Sequence, residues 1–259
     1  FFIDPINYWI RFVINTNYII FLNLMKFSII TVVKNSENFI EKTIKSVINQ
    51  NFRDFEFIII DGKSSDNTVE IINKYKKFIT KFISEEDEGI YFAMNKGLSL
   101  SNGDIIVFVN SGDLLENNAL KIINNYFEIN HDIDFVFGTV ERKYLDETIL
   151  KCGFDQEKIK YNFDFATCHS TGFFIKKKSQ NILGSYDEKF VCSADYDLFY
   201  RMVVKEKMKG KATMNNELIG KVSSGGFSSK FGFVNHIIEE NKIRLKHKQN
   251  KLFIILITI

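Results

Sequence analysis

"DIIVFVNSGDLLENNAL", residues 104–120, runs from an apolar, β-branched stretch through a polar turn into a helical pattern. Residues 104–109 read as a buried strand, and 116–129 as a helix with apolar positions on one face. The turn between them, "NSGD" (110–113), sets the functional question. A strand that ends in clustered carboxylates often marks a divalent-metal site, yet Asp113 is the one acidic residue here, beside Asn110, Ser111 and Gly112. Two readings of Asp113 stand at this point: a metal and phosphate ligand, or a helix cap or Asx-turn.

The same alternation extends on both sides. Residues 26–33, "KFSIITVV", form an apolar strand, and "NSENFIEKTIKSVINQ" follows with Ile40, Ile44, Val47 and Ile48 on one helical face and Asn35 or Ser36 as cap. A second strand, "FEFIII" (55–60), leads through "DGKSSDN" into a helix over 67–77, for which Asp66 is the expected cap and Glu70 the partner in a capping box. Residues 78–84 read as a short strand, "GIYFAMNKGLSL" as a helix and 133–139 as a further strand. Strands alternating with helices predict a mostly parallel central sheet with helices on both faces.

Ligands gather at the carboxyl ends of the strands in such sheets. Thr31, Lys34 and Asn35 end or follow the first strand, Asp61 ends the second, Asp87 follows the third and Asp113 the fourth. Four successive strands thus deliver polar groups to one edge. For Asp87, ligand contact and plain turn chemistry both stand.

Length and composition agree with one continuous domain. The chain has 259 residues and a formal charge of +2, with nothing that points to nucleic acid. Cys152, Cys168 and Cys192 are odd in number and lack a C-x-x-C pair, so a disulfide framework is not expected and a reducing cytosol fits. Residues 1–24 carry Asp4 and Arg11 in an apolar stretch, a poor signal peptide and a poor membrane span. They read as an extension upstream of the true start, with Met25 ahead of the first strand, or as a peripheral anchor. The domain is expected over 25–230 and a basic, apolar tail over 231–259. In that tail Lys242, Arg244, Lys246, Lys248 and Lys251 precede a short apolar run. Attraction to an anionic membrane is one reading, and a solvated helix face followed by a core strand the other.

Several phosphate-binding devices are excluded. No G-x-G-x-x-G follows the first strand, no G-x-x-x-x-G-K-[ST] occurs, and no G-x-S-x-G elbow is present. The loop after the first strand, "KNSENF", has none of the glycines of a sugar-nucleotide pyrophosphorylase. What remains is acidic, and carboxylates hold a diphosphate only through a cation. Mg²⁺ or Mn²⁺ takes oxygen ligands, commonly one or two carboxylates completed by phosphate oxygens and water, so a lone Asp113 suffices on that count.

Taken together, "SIITVVKNSENFIEKTIKSVINQNFRDFEFIIIDGKSSDNT", "EEDEGIYFAMNKGLSLSNGDIIVFVNSGD", "CHSTGFFIKK" and "GSYDEKFVCSADYDLFYRM" resemble family 2 glycosyltransferases, in particular bacterial members that build surface polysaccharide or lipopolysaccharide. The match runs over about residues 26–226. It implies a glycosyltransferase A fold and metal-dependent transfer, with inversion, from a nucleotide-diphosphate sugar, a UDP-hexose or UDP-N-acetylhexosamine. The acceptor implied is a glycan or lipid-linked glycan, in a cytoplasmic enzyme, with a peripheral place at the inner face of the membrane as the alternative. Thr31 would line the base and ribose pocket with Asn35 and Ser111 nearby, and Asp61 would meet the base. Asp87, Asn95 and Lys96 would flank the donor, Asp113 would reach Mg²⁺ or Mn²⁺, and Asp195 would be the general base. His169 stands in the acceptor-side segment, as an acceptor contact or a structural histidine.

The metal turn reads "NSGD" where the family often has D-x-D-D, and Lys63 replaces a usual glycine after Asp61. The alternatives to an active enzyme are a nucleotide-sugar-binding but catalytically inactive subunit and a membrane-surface scaffold. "SSGGFSS" (223–229) reads as a lid over the donor or as a plain linker.

Overall fold

The β1 strand, Phe27–Val33, is buried at all seven positions, as expected of a mostly apolar strand covered on both faces. The computed structural model describes residues 25–144, 147–161, 165–167, 170–223 and 231–258. In it β1 pairs in parallel with β2 (Phe55–Asp61) and with β4 (Ile105–Phe108), and β2 pairs in parallel with β3 (Lys81–Ser84). The sheet continues past β4 through β9 (Phe173–Lys176), antiparallel to its neighbours, to β6 (Phe135–Phe137) and β10 (Gly210–Ala212). A mostly parallel seven-stranded sheet in the order β10-β6-β9-β4-β1-β2-β3 results, as the alternating pattern predicts.

Side chains alternate along each strand and so divide the interior in two. Ile30 and Val32 of β1, with Ile58, Ile60, Ile106 and Phe108, pack on α3 (Ile90–Leu100) and α6 (Ala194–Tyr200). Phe27, Ile29 and Val33 pack on the other side against α1 (Ile40–Ile48) and α4 (Ala119–Ile129).

A smaller sheet, β5-β11-β7-β8, is built from β5 (Leu114–Leu115), β7 (Thr139–Lys143), β8 (Thr148–Lys151) and β11 (Leu218–Val222). It changes two expected boundaries. Leu114 and Leu115 pair with β11, so the helix expected from 116 begins at Ala119. The strand expected over 133–139 divides at Gly138, whose N–H donates to Gly172 O at 2.7 Å, into β6 of the large sheet and β7 of the small one.

The helix expected over 67–77 is α2, Thr68–Lys74, followed by a 3-10 turn at Lys76–Phe78. Its entry is held by Asp66, which accepts from the Thr68 N–H at 3.0 Å, and by Glu37, which accepts from the Asn67 N–H at 3.0 Å. Glu37 therefore takes the place expected of Glu70, which pairs with Lys74 one turn on. After α5 (Lys177–Leu183) and α6, the chain makes a π-helical turn at Arg201–Lys205. The segment expected as a tail forms α7 (Phe233–Lys246) and α8 (Lys251–Thr258). The apolar run is thus a helix rather than a core strand, and α7 contributes Ile243 and Arg244 to the interior.

Candidate active site

The loops leaving β1 and β2 are stitched together at the carboxyl edge of the sheet. Asn35, at φ 49°, accepts the Ser65 N–H at 2.8 Å, and its own N–H donates to Ser64 Oγ at 2.7 Å. Asp61 is fully buried and accepts from Ser64 Oγ at 2.5 Å, the Ser64 N–H at 3.0 Å and Ser84 Oγ at 2.6 Å. A Cβ at Gly62 would stand 2.5 Å from Asp87 Oδ2 and 3.2 Å from Lys34 Cδ, so the loops after β1, β2 and β3 meet at that glycine. Asp87 also accepts from the Gly89 N–H at 3.2 Å. Thr31 is fully buried, and its hydroxyl donates to Val109 O at 2.7 Å, holding β1 to the entry of the next turn.

That turn, Asn110–Asp113, is fixed from α1. Thr43 accepts from the Gly112 N–H at 3.0 Å and donates to Asp113 O at 2.9 Å, while Ser36 and Ser111 share a hydroxyl hydrogen bond of 2.6 Å. Gly112 sits at φ 102°, in the left-handed region that a side chain resists, and a Cβ there would meet Ser223 Oγ at 2.8 Å. The Asp113 side chain is buried and does not cap α4. Its Oδ2 accepts from Thr171 Oγ1 at 2.7 Å and Ser170 Oγ at 3.3 Å, and its Oδ1 from the Ser223 N–H at 3.2 Å. The small sheet explains the last contact: β11 runs antiparallel to β5, which returns Ser223 to the turn that β5 leaves.

The second buried carboxylate of interest, Asp195, lies in the first turn of α6. Its Oδ1 accepts from the Tyr196 N–H at 2.9 Å and from Tyr91 Oη at 3.5 Å. Tyr91 begins α3, the helix that leaves β3, and its ring stacks on Tyr186 with centroids 5.6 Å apart. Burial and the charge of Asp195 raise the phenol pKa of both tyrosines, so each stays protonated and Tyr91 acts as a donor. Asn95 holds this wall in place. It accepts from the Tyr186 N–H at 2.9 Å and donates to Tyr186 O at 3.0 Å and Glu188 Oε1 at 2.7 Å. Lys96 pairs with Glu85 at the end of β3. Asn95 and Lys96 thus brace the scaffold beside the edge.

Helix α6 is clamped from α7. The Glu239 carboxylate accepts the backbone N–H groups of Val191, Cys192 and Ser193 at 2.7, 2.9 and 2.9 Å. Burial pushes the adjoining Cys192 thiol up to about 11. Asp197 is fully buried and accepts from Arg201 Nε at 2.9 Å and Lys246 Nζ at 2.8 Å, with His247 Nε2 at 2.9 Å. Burial works to raise its pKa, but the hydrogen bonds from His247 and Lys246 and the Arg201 charge outweigh it and hold the carboxyl at about 2.

Comparison with known proteins gives this arrangement its context. The family model for glycosyl transferase family 2 matches residues 28–206. The chain belongs to that family. Among curated family relatives, an uncharacterized glycosyltransferase (MJ1057) of Methanocaldococcus jannaschii is 30% identical over 183 residues, 66% of this chain and 61% of that one. A PGL/p-HBAD biosynthesis glycosyltransferase of Mycobacterium bovis BCG is 26% identical over 181 residues, 68% of each chain. The chain spans less than two thirds of the length of the M. jannaschii relative.

Solved structures show the same fold. S. aureus TarS 1-349 in complex with UDP-GlcNAc superposes with a TM-score of 0.69 at 17% identity, over 85% of this chain and 66% of that one. The mannosyltransferase PcManGT of Pyrobaculum calidifontis, in complex with GDP-Man and Mn2+, gives 0.63 at 13% identity, over 88% and 66%. The architecture is the glycosyltransferase A fold.

Against the family pattern, the two departures take physical form. Lys63 adopts φ 58°, a backbone conformation glycine accepts without strain, and its ammonium reaches Glu86 at 3.5 Å. In the NSGD turn the Asn110 Oδ1 atom is buried and meets no hydrogen-bond donor among the described residues. An amide oxygen and a carboxylate oxygen in one turn suit a hard divalent cation. No group of three or more His, Cys, Asp or Glu side chains is placed to hold a metal among the described residues. A divalent ion held by these two side chains would need its other ligands from outside this cluster.

His169 and all but the first residue of 223–229 lie outside the described residues, as does 1–24. Sequence reasoning passed over three contributors: Thr171, Glu239 and Asp197. Asp197 carried a signal, since Asp197 and Arg201 stand four apart, the spacing of a helical ion pair. Thr171 and Glu239 act across 58 and 46–48 residues, which no local spacing encodes.

Proposed function

We propose that this chain is an inverting glycosyltransferase that moves a hexosyl or N-acetylhexosaminyl group from a UDP-sugar to a hydroxyl of a growing bacterial surface glycan or lipid-linked glycan, on the cytoplasmic side. One observation carries the reading. Two buried carboxylates are anchored to the same edge of the sheet, Asp113 in the turn leaving β4 and Asp195 against Tyr91 in the helix leaving β3. The loops with Asn35, Asp61 and Asp87 would receive the nucleoside at that edge, next to Ser111.

Inversion in a single displacement needs a base on the acceptor and charge stabilisation at the leaving diphosphate, with no carboxylate nucleophile. Asp195 would take the proton of the acceptor hydroxyl as its oxygen bonds to the anomeric carbon and the bond to the diphosphate oxygen breaks; such a base is worth roughly 10²–10⁴-fold. The Tyr196 N–H and Tyr91 Oη orient the carboxylate for that transfer. Asp113 and Asn110 would hold Mg²⁺ or Mn²⁺, which when bound neutralises charge on the departing diphosphate.

The test is UDP release and sugar transfer from UDP-glucose, UDP-galactose and their N-acetylamino forms, with Mn²⁺, Mg²⁺ or EDTA. Metal-dependent release that disappears in Asp113→Ala and Asp195→Ala supports the reading. Metal-dependent UDP binding without turnover of any donor, with a surface-glycan acceptor supplied, favours an inactive donor-binding subunit. No UDP binding at all removes the donor assignment.

A further inference from the structure

The helices α7 and α8 form a hairpin with two unlike sides. The turn between them is set by a Schellman motif: the Lys248 N–H donates to Leu245 O at 2.9 Å and the Gln249 N–H to Arg244 O at 3.0 Å, with Lys248 at φ 60°. Thr258 Oγ1 lies 3.1 Å from Asn241 Oδ1, which lays α8 back along α7. The inner side carries the clamp on α6. Both carboxylates of α7 belong to it, Glu239 on residues 191–193 and Glu240 half-buried beside Arg244. Arg244 is buried on the carbonyls of Lys160 and Tyr161, and Lys246 pairs with Asp187 and Asp197.

The outer side is apolar and exposed. Val234, Ile238 and Leu245 follow one face of α7, and Lys242 interrupts that face. Leu252, Ile255 and Leu256 share the outer face of α8, with Leu252 and Leu256 72% and 75% exposed. Lys242, Lys248 and Lys251 are exposed beside them, and none has a carboxylate in ion-pair reach among the described residues. From residue 241 to 259 the sequence has no acidic residue. No helix among the described residues is long and apolar enough to cross a membrane. Apolar residues interleaved with lysines on an exposed helical face are the make-up of a surface that lies in a headgroup layer.

We propose that the outer face of the α7–α8 hairpin docks on an anionic bilayer, with Leu252, Ile255 and Leu256 entering the headgroup boundary and Lys242, Lys248 and Lys251 meeting lipid phosphates. A second copy of the chain suits the face poorly, because an isologous contact sets the same lysines against each other. Docking also bears on the site, since α7 grips residues 191–193 directly ahead of Asp195. The inference does not rest on the transfer chemistry, and its test uses no donor.

That test is flotation of the chain with vesicles of phosphatidylcholine alone and of phosphatidylcholine mixed with phosphatidylglycerol. Binding is expected only to the mixed vesicles and weakens with added salt. Each basic residue near an anionic surface is worth about fivefold in partitioning, so Lys242→Glu with Lys248→Glu and Lys251→Glu removes about a hundredfold or more. Leu252→Asp with Ile255→Asp and Leu256→Asp abolishes binding with an unchanged thermal melt; should that variant fail to fold, the lysine variant decides. Equal binding to neutral vesicles, or indifference to the lysine reversals, overturns the proposal. So does a concentration-dependent dimer that the aspartates dissolve while vesicles bind nothing.

Discussion

Thr171 donates its hydroxyl to Asp113 Oδ2 at 2.7 Å, and both residues are buried. The bond joins the turn after β4 to the segment entering β9, so the aim of the candidate metal ligand depends on a strand more than fifty residues away. Thr171→Val keeps the shape and deletes the donor. A buried carboxylate that loses one of its donors costs about 1–2 kcal/mol, or roughly 3–6 °C in a chain of this size. The proposed function adds a second expectation, a drop of roughly tenfold in kcat/KM at limiting Mn²⁺ that saturating Mn²⁺ partly restores. A melting curve and a Mn²⁺ titration check both; an activity loss indifferent to Mn²⁺ would place Thr171 outside metal positioning.

Asp195→Asn separates chemistry from binding. The amide keeps the volume and can still accept from Tyr196 N–H and Tyr91 Oη, so the fold and the donor affinity are expected to hold. Removal of the base lowers kcat by roughly 10²–10⁴-fold. Calorimetric titration with UDP alongside steady-state kinetics tests the pairing. A variant that retains kcat would leave Asp195 as a structural member of the α6 entry.

The sequence made the large sheet legible because β1, β2 and β4 are short, mostly apolar and Ile-rich runs, and it made the edge legible because polar residues end or follow each of them. The site was harder to read. Asp113 is held by Thr171, Ser170 and Ser223, brought in by β9 and β11, and that pairing exists only in the assembled sheets. Leu114 and Leu115 read as the approach to a helix because their strand partner, β11, lies a hundred residues on. After α6 the backbone continues into the π-helical turn at Arg201–Lys205, with Met202 still buried, a change of winding that apolar spacing does not mark.

Lys63→Gly is expected to stabilise the fold. A side chain in the left-handed region costs about 1–2 kcal/mol, whereas glycine adds about 0.5–1 kcal/mol of chain entropy to the unfolded state. The exposed pair with Glu86 is worth little, so strain relief wins by about 0.5–1 kcal/mol. Urea unfolding reads the difference as a higher midpoint at unchanged slope. A lower midpoint would mean that the Glu86 contact outweighs the backbone term.

Acid stability should report the α6–α7 clamp through Asp197. Against burial, the hydrogen bonds from His247 and Lys246 and the Arg201 charge hold its carboxyl at about 2, well below the ordinary aspartate value. A depressed carboxylate contributes stability that is complete above the unfolded value and is lost as pH falls through the folded one. The window therefore lies between about pH 4 and pH 2, and the contribution is on the order of 2 kcal/mol. Asp197→Asn leaves Arg201, Lys246 and His247 facing a neutral amide, and breaking a buried cluster in this way costs about 3 kcal/mol near neutral pH. The variant should then lose less than the parent on going from about pH 4 to pH 2.5, because the titrating group is gone. Parallel urea series at the two pH values decide it: an acid slope unchanged by the substitution would assign the acid sensitivity to other carboxylates and leave Asp197 with packing alone.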